Sequence, residues 1–227
     1  MTADVITIWY GRTGDSEASL SGYWHMLDTD EQRHAGNIKS TLQKYRYIET
    51  HARLRLLLAQ YLSQAPETIV IRKAEFGKPY LENASGLVFN LSHSGPFFLI
   101  AVGQQCQLGV DVETVRHRSS FSALINKCFA EEEKAYWQRQ PESLQAAAFY
   151  RIWTRKEAFV KAVGRGLALG LKQCVVYPGN LSEFLRIPGD CGSISNWQSF
   201  ELDLGSDLFG ALVVDNTNIP RIQLKEL

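Results

Sequence analysis

The stretch Gly109-Val110-Asp111-Val112-Glu113 alternates aliphatic and acidic residues. On a β-strand successive side chains point to opposite faces, so Asp111 and Glu113 share one face and Val110 and Val112 the other. Two carboxylates roughly 7 Å apart at their Cα atoms can converge on one cation. Carboxylate oxygens suit magnesium, a hard ion that commonly bridges one or two acidic side chains to substrate phosphates. Taken alone, the same pattern also fits a strand edge carrying two solvated acids.

Two further groups of residues add to it. In Trp153-Thr154-Arg155-Lys156-Glu157-Ala158-Phe159-Val160-Lys161, Glu157 and Lys161 stand four apart and share a helical face, with Trp153 one turn earlier. A surface ion pair of little energetic weight is the plain reading. Trp153 on the same stripe argues that the face is partly buried, where an unpaired charge is costly. Glu157 could then supply a third metal carboxylate and Lys161 could meet a phosphate oxygen. In Phe89-Asn90-Leu91-Ser92-His93-Ser94-Gly95, a histidine sits in a polar turn between two apolar runs. Hydroxyls, backbone N–H groups and an imidazole there suit phosphate oxygens or a proton transfer, although a lone histidine is more often structural.

The elements that must hold these residues follow from hydrophobic period and breakers. Residues 5–10 read as a strand, and a helical region runs from about Asp28 to Leu62, closed by Pro66. Ile69–Ile71, Val88–Leu91, Phe97–Val102 and Gly109–Glu113 read as strands, with Phe76-Gly77-Lys78-Pro79 as a turn. Helical blocks cover about Phe121–Gln138 and Leu144–Val163, the second ending at Gly164. Short strands follow at Gln173–Tyr177, Trp197–Leu204 and Phe209–Val214. The pattern is α+β rather than a repeating βα series, with the boundary between two parts falling near residues 103–110.

Composition narrows the function. The 227 residues contain 24 Lys plus Arg and 24 Asp plus Glu, a formal net charge of zero. A chain built to grip nucleic acid usually shows a basic excess, so no nucleic-acid partner is expected. The four cysteines are scattered without zinc spacing, as in a reducing compartment. The first residues lack the pattern of a signal peptide, and the apolar run Phe97–Val102 is too short to span a bilayer. A cytoplasmic protein without a membrane partner is the expectation. Neither a P-loop, a GxGxxG loop nor a GxSxG elbow is present.

The order and spacing of Gly77-Lys78-Pro79, FNLSHS at 89–94, GVDVE at 109–113, Phe129 followed by Glu133, and WTRKEAFVKAVGRGL at 153–167 closely resemble the 4'-phosphopantetheinyl transferase superfamily, in its surfactin-synthetase-activating type. The resemblance implies two similar α+β halves packed as a pseudo-dimer, here residues 1–105 and 106–227, with coenzyme A bound between them in a monomer. It implies magnesium at Asp111, Glu113 and Glu157, donor pyrophosphate at Lys161 and His93, and the adenine and 3'-phosphate near Gly77, Lys78 and Pro79, with Ser92 adjoining. Glu133 matches an acidic position near the site. Basic residues of the first helical region would face the 3'-phosphate; Arg46, His51, Arg53 and Arg55 are candidates, of which Arg53 is selected.

The implied reaction moves the phosphopantetheine arm of coenzyme A to a serine of an apo acyl or peptidyl carrier protein. Glu157, Glu133 or a metal-bound water could take the serine proton. The basic, Ser-rich segment from Arg116 to Lys127 could help dock the carrier. A magnesium-dependent phosphodiesterase, or a module that binds coenzyme A or a carrier without turnover, would use the same residues.

Overall fold

The computed structural model describes residues 5–14, 20, 22–82, 86–115, 121–216 and 218–227. Its N-terminal part runs from strand β1 (Val5–Arg12) through helices α1 (Thr29–Asn37) and α2 (Thr41–Leu62) to a small hairpin, β2 (Ile71–Lys73) and β3 (Pro79–Leu81). Strands β4 (Leu87–Ser94), β5 (Phe97–Gln104) and β6 (Leu108–Thr114) follow. Then come helices α3 (Phe121–Cys128), α4 (Glu131–Gln138) and α5 (Glu142–Val163), short strands β7 (Val175–Val176) and β8 (Phe184–Arg186), and strands β9 (Trp197–Leu202), β10 (Leu208–Asp215) and β11 (Arg221–Glu226).

Two details depart from the sequence reading. The helical region between Asp28 and Leu62 is two helices. Asp28 caps the first through a reciprocal capping box with Glu31, and Ser40 caps the second by accepting from the Gln43 N–H. Ser92, His93 and Ser94 lie on strand β4 rather than in a turn, which is confined to Gly95-Pro96. Polar residues can extend a strand when its side chains find partners outside the sheet, as Ser92 and Ser94 do with Asp111 and Glu113.

Four strands form one sheet in the order β11-β1-β5-β4, and three form another in the order β6-β10-β9. Alternation along each strand builds the layers. On β5, Leu99 and Ala101 face an apolar layer shared with Val110 and Val112 of β6 and Leu212 and Val214 of β10. Phe98, Ile100 and Val102 face the other way, onto Leu54, Leu57 and Leu58 of α2. On β10, Ala211 and Val213 pack against Phe149, Ile152 and Phe159 of α5. The result is helix, sheet, sheet, helix, with 22-residue helices α2 and α5 outside and a dry layer between the sheets. The turn after β5 contains residue 105, while β11 returns to pair in parallel with β1, so the last strand completes the first sheet.

Because Val110 and Val112 point into that dry layer, Asp111 and Glu113 must point out of it, toward α5. The helix can approach β6 closely because residue 109 is glycine. A Cβ there would stand 2.1 Å from the Ala158 carbonyl oxygen and 2.4 Å from the Ala162 nitrogen, both helix backbone. Gly109→Ala is therefore expected to lower stability by about 3 kcal/mol, the upper end of overpacking costs. A urea midpoint equal to wild type would refute the contact.

Candidate functional site

Strand β4 stands beside β6, and α5 crosses the face that carries the acids. Lys161 Nζ donates to Ser92 Oγ and to Asp111 Oδ1, each at 2.7 Å, and Ser92 Oγ donates to the same carboxylate oxygen at 2.9 Å. Asp111 is 5% exposed. Its second oxygen, Oδ2, is buried with no hydrogen-bond partner among the described residues. Burial raises the Asp111 pKa above the usual carboxylate range, and the Lys161 charge only partly opposes it. One turn earlier on α5, Glu157 is pushed up to about 7, first by burial and then by the charge of Asp111, with Glu113 adding to it and Lys161 opposing. Glu113 accepts from Ser94 Oγ at 2.8 Å.

Three carboxylates and one ammonium therefore share a patch whose acids repel one another. A hard divalent cation fits this donor set in chemistry, and the orphaned Oδ2 of Asp111 is the observation that favours it. Among the described residues no three Asp, Glu, His or Cys side chains yet stand in a closed metal-binding arrangement, and Lys161 supplies the positive charge nearest Asp111.

A cavity lies on either side of this cluster. The larger, about 600 Å³, is lined by Arg46, Tyr47 and Thr50 of α2 together with His93, Ser94 and Glu113. His93 has its pKa lowered, first by loss of water around it and then by the Lys161 charge, which favours the neutral imidazole. The smaller cavity, about 240 Å³, joins Gly77, Lys78 and Pro79 to Lys161 and Gly164.

Lys78 is not directed at open space. Its ammonium donates to the Leu108 carbonyl at 3.1 Å and the Ala162 carbonyl at 2.6 Å, tying the β2–β3 hairpin to β6 and the end of α5. Burial lowers its pKa from 10.5 to about 8. Between those values the folded protein binds fewer protons at this residue than the unfolded chain, so stability from this site rises with pH across that window. The urea midpoint of the wild type is expected to climb relative to Lys78→Met from pH 8 to pH 10. A pH-independent difference between the two would sink this account.

Two of the residues selected from the sequence are already engaged by other groups of the chain. Arg53 is held by Glu49 at 2.8 Å, by the Leu227 carbonyl at 2.9 Å and by stacking on the Phe98 ring. It lies two helical turns, about 10 Å, beyond Arg46, which is the arginine on the cavity wall. Glu133 is fully buried. Its two oxygens accept from Lys156 Nζ and from the backbone N–H groups of Ala130 and Val176, so neither is available to a substrate hydroxyl. No periodic signal in the sequence distinguishes Arg46 from Arg53, since both fall on one stripe of α2. Of the suggested carrier-docking segment, residues 116–120 lie outside the described residues, and α3 begins at Phe121.

No helix among the described residues is long and apolar enough to cross a membrane. A family model described as the 4'-phosphopantetheinyl transferase superfamily matches residues 107–213. Among curated proteins, the chain is 31% identical over 171 residues to the 4'-phosphopantetheinyl transferase HetI of Nostoc sp., covering 74% of this chain and 72% of that one. It is 29% identical over 181 residues to the putative 4'-phosphopantetheinyl transferase slr0495 of Synechocystis sp., covering 79% and 73%. A shorter match, 40% over 110 residues, links it to the 4'-phosphopantetheinyl transferase AcpT of Salmonella typhi, covering 48% and 56%.

Proposed function

The chain belongs to the 4'-phosphopantetheinyl transferase superfamily, and from that premise we propose that it moves the 4'-phosphopantetheine arm of coenzyme A onto a serine hydroxyl of an apo acyl or peptidyl carrier protein. The observation that carries this reading is the Ser92–Asp111–Lys161 cluster, set between two cavities and beside Glu157.

In the proposed reaction the carrier serine oxygen bonds to the phosphorus that bears the pantetheine arm. The bond from that phosphorus to the bridging oxygen breaks, and adenosine 3',5'-bisphosphate leaves. Magnesium held by Asp111, Glu113 and Glu157 would neutralise charge on the pyrophosphate. Lys161 places a fixed positive charge beside the phosphates, and His93 offers a ring N–H to a phosphate oxygen from the cavity wall. Arg46 replaces Arg53 as the residue assigned to the 3'-phosphate. Glu157, on α5 beside Asp111, is the residue assigned to take the serine proton. The buried carboxylate of Glu133, already saturated, is assigned no part in proton transfer. Both walls of the cleft come from one chain, which supports a monomer as the working unit.

Intact-mass spectrometry of an apo carrier protein incubated with this protein, coenzyme A and magnesium tests the reading. The carrier is expected to gain about 340 Da, the mass of the transferred arm, and EDTA is expected to abolish the gain. No gain on carriers from fatty acid, polyketide and non-ribosomal peptide synthesis would reject it.

A further inference from the structure

Strand β6 is an edge of its sheet, pairing with β10 on one side only. Its outward N–H groups at Val110, Val112 and Thr114 need acceptors, because a buried unpaired N–H is costly. They do not meet the backbone of β4. They meet its side chains: Asn90 Oδ1 accepts from Val110 N at 2.9 Å, Ser92 Oγ from Val112 N at 3.3 Å, and Ser94 Oγ from Thr114 N at 3.2 Å. The step is two residues on both strands, with a constant separation of 20 in sequence. Three short polar side chains thus join the edges of the two sheets as a ladder.

Each serine of that ladder has one proton left to give, and each gives it to an acid. Ser92 donates to Asp111 and Ser94 to Glu113. Ser94 is 5% exposed. Its hydroxyl accepts from the Thr114 N–H while standing 3.3 Å from the Thr114 hydroxyl. That leaves the Glu113 carboxylate oxygen, which can only accept, as the natural recipient of its proton.

We propose that Ser94 is a positioning residue: anchored by the Thr114 N–H, it fixes the orientation in which Glu113 faces the reacting phosphates. The role rests on reading Glu113 as a working carboxylate of the transferase. It is independent of contact between Ser94 and substrate. A carboxylate on a flexible side chain loses rotational freedom when it binds, and a fixed donor removes part of that cost beforehand. Partners that orient ligating carboxylates typically change activity about 10–100-fold when removed.

The test is a double-variant cycle on the full chain with Ser94→Ala and Glu113→Gln, reading kcat and KM for coenzyme A. Ser94→Ala is expected to lower kcat about 10–100-fold while KM stays within about twofold. The double variant is expected to be no slower than Glu113→Gln alone. In the protein without ligands, exchange of the Thr114 amide proton is expected to quicken in Ser94→Ala. Should that variant fail to fold, Ser94→Cys, similar in volume and a weaker donor, gives the same cycle. Wild-type kcat in Ser94→Ala alongside a slow Glu113→Gln overturns the positioning role and leaves Glu113 in place. Losses that multiply in the double variant overturn it too, because Ser94 would then act apart from Glu113. Wild-type rate in Glu113→Gln overturns the reading of the acid, and the positioning role falls with it.

Discussion

Alanine at Asp111, at Glu157 or at Lys161 is expected to lower carrier modification by at least about two orders of magnitude, the scale set by removing one preorganised electrostatic group from a transition state. The three fail for different reasons. Asp111→Ala removes a buried carboxylate that anchors both Lys161 and Ser92, so it also frees the ammonium to move. Lys161→Ala leaves Asp111 buried beside Glu157 and Glu113 without its counter-charge. With that charge gone, burial and the neighbouring acids hold its pKa higher still. Glu157→Ala removes one of the repelling acids, and so is the variant most able to keep its fold while losing rate. Single-turnover rates on an apo carrier, with thermal midpoints alongside, separate these effects. Near-normal rates in all three folded variants would show that the cluster is not the reaction centre.

The logic of this cluster was visible in the sequence because it is written in local period. Alternation along 109–113 predicts a strand with its acids on one face, and a spacing of four predicts Glu157 and Lys161 on one helical stripe. Both hold on β6 and α5. That Asp111 faces α5 rather than solvent needed the dry layer between the sheets, which gathers Ile6 and Ile8 of β1 with Val110 and Val112 of β6 and which no local pattern encodes. The same limit explains the misplacement of Ser92 to Ser94. A run of Ser-His-Ser reads as a turn until its partners, twenty residues on, are known. Arg55 is a further case. A fully buried arginine in the middle of a helix is unexpected from composition, yet it is bound by Asp28, Glu31 and the carbonyls of Pro66 and Ile69. Four acceptors from two chain segments replace the water it has lost. Arg53, two residues earlier, shares a stripe of α2 with Arg46, so the sequence holds nothing that separates the two.

The second large effect is expected away from the cleft, at Glu133 and Lys156, both fully buried. Lys156 Nζ donates to both Glu133 oxygens at 2.8 and 2.7 Å and to the Cys174 carbonyl, and it stands 5.7 Å from the Phe129 ring centre. Removing one partner of such a pair leaves a buried charge or an orphaned polar group, a loss of about 3–5 kcal/mol, or about 6–20 °C in the midpoint of a chain this size. The two single variants should not be equal. Lys156→Met leaves Glu133 with two backbone N–H donors, and burial already raises its pKa, so it can take up a proton and remain hydrogen-bonded. Glu133→Leu strands Lys156 with a single carbonyl and also strands the N–H groups of Ala130 and Val176. It should therefore be the less stable, and the double variant should recover only part of the loss, because those two N–H groups stay unpaired. Denaturant unfolding gives the order directly. Equal losses would mean that the backbone bonds to Glu133 contribute little, and single variants within about 1 kcal/mol of wild type would mean that the pair does not hold α4 to α5. Lys156 immediately precedes Glu157, so the loosened helix is expected to lose transfer rate even where the variant folds.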